Sequence, residues 1–266
     1  MQEITSTNNA KIKQLIQLQK KSSLRKARQE FVVEGKREVS LAVKNDFQID
    51  TIYFLPELIS IDEVKTWNND KNIKFNIIAV SKKVFQKITY RNTTEGLLAV
   101  VKMKEHSLNS IKLSENPLLL IAESIEKPGN IGAMLRSVDG AGADALILVN
   151  PVVDLYNPNL IRASLGTLFS NQIAITDTSG LQDFLQKNNI DMYAATLQNA
   201  NAYYLNDYKK STAIAVGAED VGLHKEMRKI AKKSIYIPML GQADSLNVSV
   251  SAALLLYEVL RQRKMN

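Results

Sequence analysis

Cysteine is absent from this 266-residue chain. That excludes disulfides, thiolate nucleophiles and cysteine-ligated zinc together. Histidine is nearly absent: His106 and His224 each stand apart from any second candidate ligand. Both read as ordinary surface residues, and no metal site is expected. No apolar run reaches the length of a membrane span. The first 30 residues are polar, with no apolar segment of the kind that marks a secretory leader. A cytoplasmic protein outside the membrane is the expectation.

What is present is globular: 45% hydrophobic and 23% charged residues. The net charge of +7 is unevenly spread. Residues 1–116 hold 20 basic and 13 acidic side chains, whereas residues 117–266 hold 14 of each. The excess either serves solubility or draws a polyphosphate partner to the first part of the chain.

That first part reads as a small alternating α/β unit. Residues 8–28 have a helical pattern with Lys and Arg on one side. "FVVEG" (31–35) is a short strand ended by glycine, "KREVSLAVKN" a helix, and "IDTIYFL" a strand. "SKKVFQKI" is a helix capped by Ser81 and "GLLAVVKM" (96–103) a strand. Residues 105–116 are polar and patternless, as in a linker. The boundaries expected are 1–104, a linker at 105–116, and 117–266.

The second unit has six apolar runs: 117–122, 145–149, 172–175, 192–196, 212–218 and 234–239. They are continuous rather than alternating, as in a parallel sheet covered on both faces. The final helix, 247–263, is apolar nearly all round, so it belongs in a core or against a second subunit.

Ligands of parallel α/β sheets bind beyond the carboxyl ends of the strands. Three glycine-marked segments follow strands here: "EKPGNIGAMLR", "GAEDVGL" (217–223) and "MLGQADSLNVS" (239–249). Each has a plain structural reading. Asn130 suits the N-cap of a helix over 131–139, Glu219 suits the dipole of a helix over 223–230, and Ser245 or Asn247 suits a cap of the last helix. Capping explains one of that last pair and not both. Arg136 sits among Ile131, Met134, Leu135 and Val138, so it is either buried with a partner or turned outward. Two other patterns mislead. "GAGADA" (140–145) matches a dinucleotide fingerprint but precedes a strand, so it ends a helix through Gly140 and Gly142. "GNIG" (129–132) matches the clamp loop of KH RNA-binding modules, but the strand-rich order around it does not.

Taken together, "EKPGNIGAMLRSVDGAGADALIL", "AVGAEDVGL" and "IPMLGQADSLNVSVSAALLLYE", with "DLYNPNLIRASLGTLF" between them, resemble the signature motifs of the SpoU/TrmH family of RNA 2′-O-ribose methyltransferases, in the SPOUT class. The resemblance covers the whole second unit. "FVVEGKREVSLAV" and "TTEGLLAVV" resemble the family's accessory RNA-binding domain over a shorter stretch. One departure is visible: Lys127 precedes the proline where the family often has aspartate. It reads as a loop variation.

The resemblance implies an α/β protein with a C-terminal knotted, trefoil parallel-sheet domain preceded by a small α/β RNA-binding domain. It implies a homodimer with the site near the subunit interface, S-adenosylmethionine as cofactor, and RNA as substrate, rRNA favoured over tRNA. It assigns cofactor binding to Thr196, Leu197, Gly217, Ile237 and Leu246. It assigns catalysis to Asn130, Arg136, Glu219, Ser245 and Asn247. The family view makes Arg136 the base that takes the hydroxyl proton. A guanidinium stays protonated to a pKa above about 12, so holding developing alkoxide charge is the alternative, with Glu219 a second candidate acceptor. A catalytically inactive RNA-binding homologue is the contrasting reading.

Overall fold

A computed structural model describes residues 2–69, 75–89 and 95–264. Thr93 and Thr94 of the "TTEGLLAVV" motif lie outside the described residues. The chain forms two compact units, residues 1–105 with 154–170, and residues 106–153 with 171–266.

The first unit runs β1 (Gln2–Ile4), α1 (Ala10–Lys20), α2 (Ser22–Arg28), β2 (Glu30–Glu34), α3 (Lys36–Lys44), β3 (Ile49–Phe54), α4 (Ile61–Asn69), β4 (Asn76–Val80), α5 (Lys82–Ile88) and β5 (Leu97–Lys102). Its sheet has the order β1-β4-β3-β5-β2. β4 runs parallel to β1 and β3, and β5 antiparallel to β2 and β3. The basic stretch at 8–28 is two helices, broken at Lys21, which is extended at φ −113°. Ser81 caps α5 as its sequence suggests, accepting from Val84 N at 3.5 Å.

One face of this sheet buries Val32, Tyr53, Ile78, Leu98 and Val100 with Ile12, Leu15 and Leu18 of α1. Residues 154–170 belong to this unit, although the sequence reads as a single stretch over 117–266. They carry α7 (Pro158–Ser164) and α8 (Thr167–Ser170). Tyr156 stacks on Phe31 at 4.2 Å between ring centroids, and Phe169 meets Phe47 edge-on at 5.1 Å. Arg25 is 2% exposed. Its Nε and Nη2 contact Asp154 at 2.7 and 2.6 Å, and its Nη1 donates to Leu18 O at 2.6 Å. It reads from sequence as one more basic surface residue; the structure makes it a buried tie.

The second unit holds β6 (Leu118–Glu123), α6 (Pro128–Ala141), β7 (Ala145–Val149), β8 (Ile173–Thr176), α9 (Thr178–Lys187), β9 (Asp191–Ala195), β10 (Asn201–Ala202), β11 (Thr212–Val216), α10 (Lys225–Ile230), β12 (Lys233–Tyr236) and α11 (Val248–Lys264). Its sheet has the order β10-β12-β9-β11-β6-β7-β8, every pairing parallel. All carboxyl ends therefore share one edge. Leu119 and Ile121 of β6 pack with Leu181 and Leu185 of α9 and Met227 of α10. The opposite face carries α6 and α11, which pack on each other. Part of the expected linker belongs to this core: Leu108, Ile111 and Leu113 lie against it. His106 accepts from Ile175 N through its carbonyl at 2.9 Å and is half-buried, so it is not a plain surface residue. No helix among the described residues is long and apolar enough to cross a membrane.

Candidate active site

β6 and β11 are neighbours, yet the helices that follow them lie on opposite faces: α6 on one, α10 on the other. The two connections diverge and open a crevice at the carboxyl edge. In open α/β sheets this is where ligands bind. All three glycine-marked segments reach that edge.

Asn130 is not the cap of α6. The helix starts earlier, with Lys127 in the cap position and Pro128 first in the helix, where its missing N–H and fixed φ cost nothing. Asn130 thus lies in the first turn, its side chain free to leave the helix. Its Nδ2 donates to Glu219 Oε1. Lys127 Nζ donates to Glu219 Oε2 as an ion pair. Asn247 Nδ2 reaches Asn130 Oδ1 at 3.3 Å and Glu219 Oε1 at 3.4 Å. Asn247 also caps α11, its Oδ1 accepting from Ser249 N at 3.0 Å. Residues 117 positions apart, Asn130 and Asn247, are bonded here directly and through a glutamate from a third segment.

Glu219 is not the anion at the start of α10. That position belongs to Glu123, which is 1% exposed. It accepts from His224 N at 2.9 Å and lies 3.1 Å from His224 Nδ1. Glu219 is lowered from the usual carboxylate value by the Lys127 hydrogen bond first, with Asn130 adding to it. Lys127 is raised by the same carboxylate. The residue at the family's variable position is therefore part of the cluster rather than a loop variation without consequence.

Gly217 is required by a close approach: a Cβ there would lie 2.2 Å from the carbonyl carbon of Gly222. Gly222 itself has φ +67°. Gly142, also left-handed at φ +64°, ends α6, whereas Gly140 lies inside it.

Arg136 and Ser245 stay apart from the cluster. Arg136 is exposed and makes no hydrogen bond or ion pair among the described residues. Six positions along a helix place it about 9 Å from Asn130 along the axis and about 120° around it. It is one turn from Gly140, against which the Tyr257 hydroxyl of α11 lies. Ser245 is exposed in the loop before α11.

Thr196 and Leu197 follow β9, Gly217 follows β11, and Ile237 follows β12; these three strands are adjacent. Leu197 is 70% exposed, Leu240 100% and Leu246 36%. This edge presents uncovered apolar side chains and backbone, with Glu219 paired to Lys127.

The parallel sheet, with its helices split between the faces and the asparagine–glutamate cluster at the opened edge, is the arrangement of a ligand-binding α/β protein. The chain belongs to the SpoU rRNA methylase family, whose model matches residues 117–257. Residues 9–99 match an MRM3-like substrate binding domain. A Bacillus subtilis protein, 23S rRNA (guanosine(2553)-2′-O)-methyltransferase RlmP, is 29% identical over 97% of this chain and 99% of its own length. A solved RNA 2′-O ribose methyltransferase is 38% identical, with TM-score 0.83, over 98% of this chain and 99% of that one. An AdoMet-bound rRNA methyltransferase from Sinorhizobium meliloti is 26% identical with TM-score 0.90, covering 100% of this chain and 99% of that one.

Proposed function

We propose that this protein transfers the methyl group of S-adenosylmethionine to a ribose 2′-hydroxyl of 23S ribosomal RNA. The observation that carries the reading is the convergence of Asn130, Glu219 and Asn247, from three distant segments, on the crevice between β6 and β11.

The cofactor, when bound, supplies a methyl on a cationic sulfur. The apolar side chains and backbone that end β9, β11 and β12 fit its adenine, and Thr196, Leu197, Gly217, Ile237 and Leu246 are the residues that would hold it. Asn130 and Asn247 orient the ribose by hydrogen bonding, and Ser245 offers its hydroxyl from the exposed loop before α11, outside the cluster. Glu219 anchors both carboxamides. A carboxylate held below its usual range is a poor acceptor for a hydroxyl proton, so Glu219 positions rather than deprotonates. Arg136 holds the nucleotide's phosphate and the charge that grows on the attacking oxygen.

The chain acts as a homodimer in the cytoplasm, with residues 1–104 holding the RNA. Val250 and Tyr257 of α11 are 50% and 49% exposed. Tyr257 lies beside the surface that bears Arg136. A second copy seated there covers the apolar side chains and places Arg136 at the interface, where the other copy's cluster can use it. The knotted crossing implied by the family motifs is part of the same reading.

The test is methyl transfer in vitro from S-adenosylmethionine to 23S rRNA of the source organism, with mapping of ribose methylation by resistance to alkaline cleavage. One protected position in 23S rRNA is the expected result. Protection in tRNA alone redirects the substrate, and cofactor binding without transfer to any RNA overturns the enzyme reading.

A further inference from the structure

The other face of the same sheet edge carries a second concavity that this chemistry leaves unused. It is an open cleft of about 950 Å³ between the ends of β6 and β7 and the starts of α9 and α10. Its floor is built in an uncommon way. Ser124 and Asn150, the residues just past β6 and β7, are both left-handed, at φ 51° and 47°. Each N–H extends the parallel ladder by one bond, to Val149 O and Thr176 O, both at 3.0 Å. Each side chain then reaches across to the next strand's end. Ser124 Oγ donates to Asn150 O at 3.3 Å, and Asn150 Nδ2 to Thr178 Oγ1 at 3.4 Å. A row of neutral hydrogen-bonding groups results. Left-handed non-glycine residues carry a steric cost that structures concentrate at ligand-binding places.

Mutual satisfaction of strand ends would explain that row. It does not explain the walls. Gln182 and Lys229 line the cleft exposed, with no hydrogen bond or ion pair among the described residues. Val152 lines it at 65% exposure. The Glu123–His224 pair fixes the wall from behind, so that buried carboxylate is already used. Carboxamides read the polar edge of an unpaired base, an apolar side chain covers its face, and a lysine meets its phosphate. Glu226, one turn before Lys229 and on the same rim, offsets part of the lysine's charge. That favours a nucleotide held mainly through its base over a bare anion.

The place matters as much as the lining. Ser124 is three residues before Lys127 and His224 five after Glu219, so the cleft and the cluster hang from the same strand ends. We propose that this cleft holds an unpaired nucleotide of the RNA substrate adjacent to the one that is methylated. The proposal rests on the RNA methyl-transfer reading above.

The test uses the full-length protein, 23S rRNA transcribed in vitro, and Gln182→Ala, Lys229→Ala and their double variant. None of these residues belongs to the catalytic cluster, and all are surface positions, so a thermal melt should match the parent. The double variant is expected to raise KM for RNA roughly tenfold, about 1.4 kcal/mol, with kcat and S-adenosylmethionine affinity unchanged. Lys229→Ala alone should reduce the slope of log affinity against log salt by about one. RNA carrying photoreactive uridines should crosslink within residues 150–152 or 178–182. Direct filter binding keeps the two readings separate. An unchanged RNA Kd in the double variant overturns the cleft whatever the activity. A parent protein that binds RNA through the cleft yet transfers no methyl overturns the proposed function alone.

Discussion

At the scale of single residues, Glu219 is the centre of the proposed site, bonded to Lys127, Asn130 and Asn247. The Lys127 ammonium and the Asn130 carboxamide depress its pKa. A depressed carboxylate contributes its interactions above the unfolded value and loses them only as pH falls through the lowered folded value. It therefore stays ionised throughout the neutral range. Glu219→Gln should lower the single-turnover rate without changing the shape of the pH–rate profile between about pH 6 and pH 9. Loss of a limb in that range would restore Glu219 as the base. Arg136→Lys keeps a cation but loses the planar fork; a fall in single-turnover rate of at least about tenfold is expected, and full turnover by the lysine variant would mean that a point charge suffices. Gly217→Ala puts a Cβ 2.2 Å from backbone, with no flexible side chain able to yield. The expected cost is about 1–3 kcal/mol, read as a lowered Tm and weakened binding of S-adenosylmethionine.

At the scale of elements, the segment between β7 and β8 departs from the sheet's own logic. A parallel crossover ordinarily packs its helix on the sheet it serves, whereas α7 and α8 pack within the first unit. Arg25 and Asp154 tie them there out of water. Arg25→Ala removes the cation paired with Asp154, which keeps the Tyr156 N–H, and takes the donor from the Leu18 carbonyl, in a buried place. A loss of about 3–5 kcal/mol in urea unfolding is expected. Adding Asp154→Ala should recover part of it, because the uncompensated charge is then gone. If Arg25→Ala unfolds like the parent, the pair is too hydrated to matter.

At the scale of the whole molecule, charge and apolar surface decide the partners. The excess of basic residues lies before residue 117. RNA affinity should fall steeply between about 50 and 200 mM salt, measured by filter retention, and a flat dependence would remove the first unit from RNA binding. The exposed apolar side chains of α11 make a second assertion. Sedimentation should give a dimer, and Tyr257→Glu with Val250→Glu should shift it toward monomer while leaving the fold intact by circular dichroism.

Much of this was legible in the chain itself. Continuous apolar runs marked the strands of the second unit, since a sheet covered on both faces leaves no polar alternation, and their glycine-marked ends placed a site at one edge. The short β1, the α4 helix and the β4 strand of the first unit were not recognised, nor was β10. The missed strands are too short or too uneven for periodicity to separate them from loops. Local pattern by itself left Asn130 open to helix capping and Glu219 to a helix dipole, while the family resemblance put both among the site residues. Which partners they take is decided by tertiary structure, because Asn130 and Glu219 lie 89 positions apart in the chain. Composition could not distinguish Arg25 from its exposed neighbours, since burial depends on what a distant segment brings to cover it. The chain alone thus determined the layers, the edge and the kind of chemistry; the packing of α6 against α11, with the split of helices between faces, decided which of the named side chains meet and left Arg136 facing outward on the surface it shares with Tyr257.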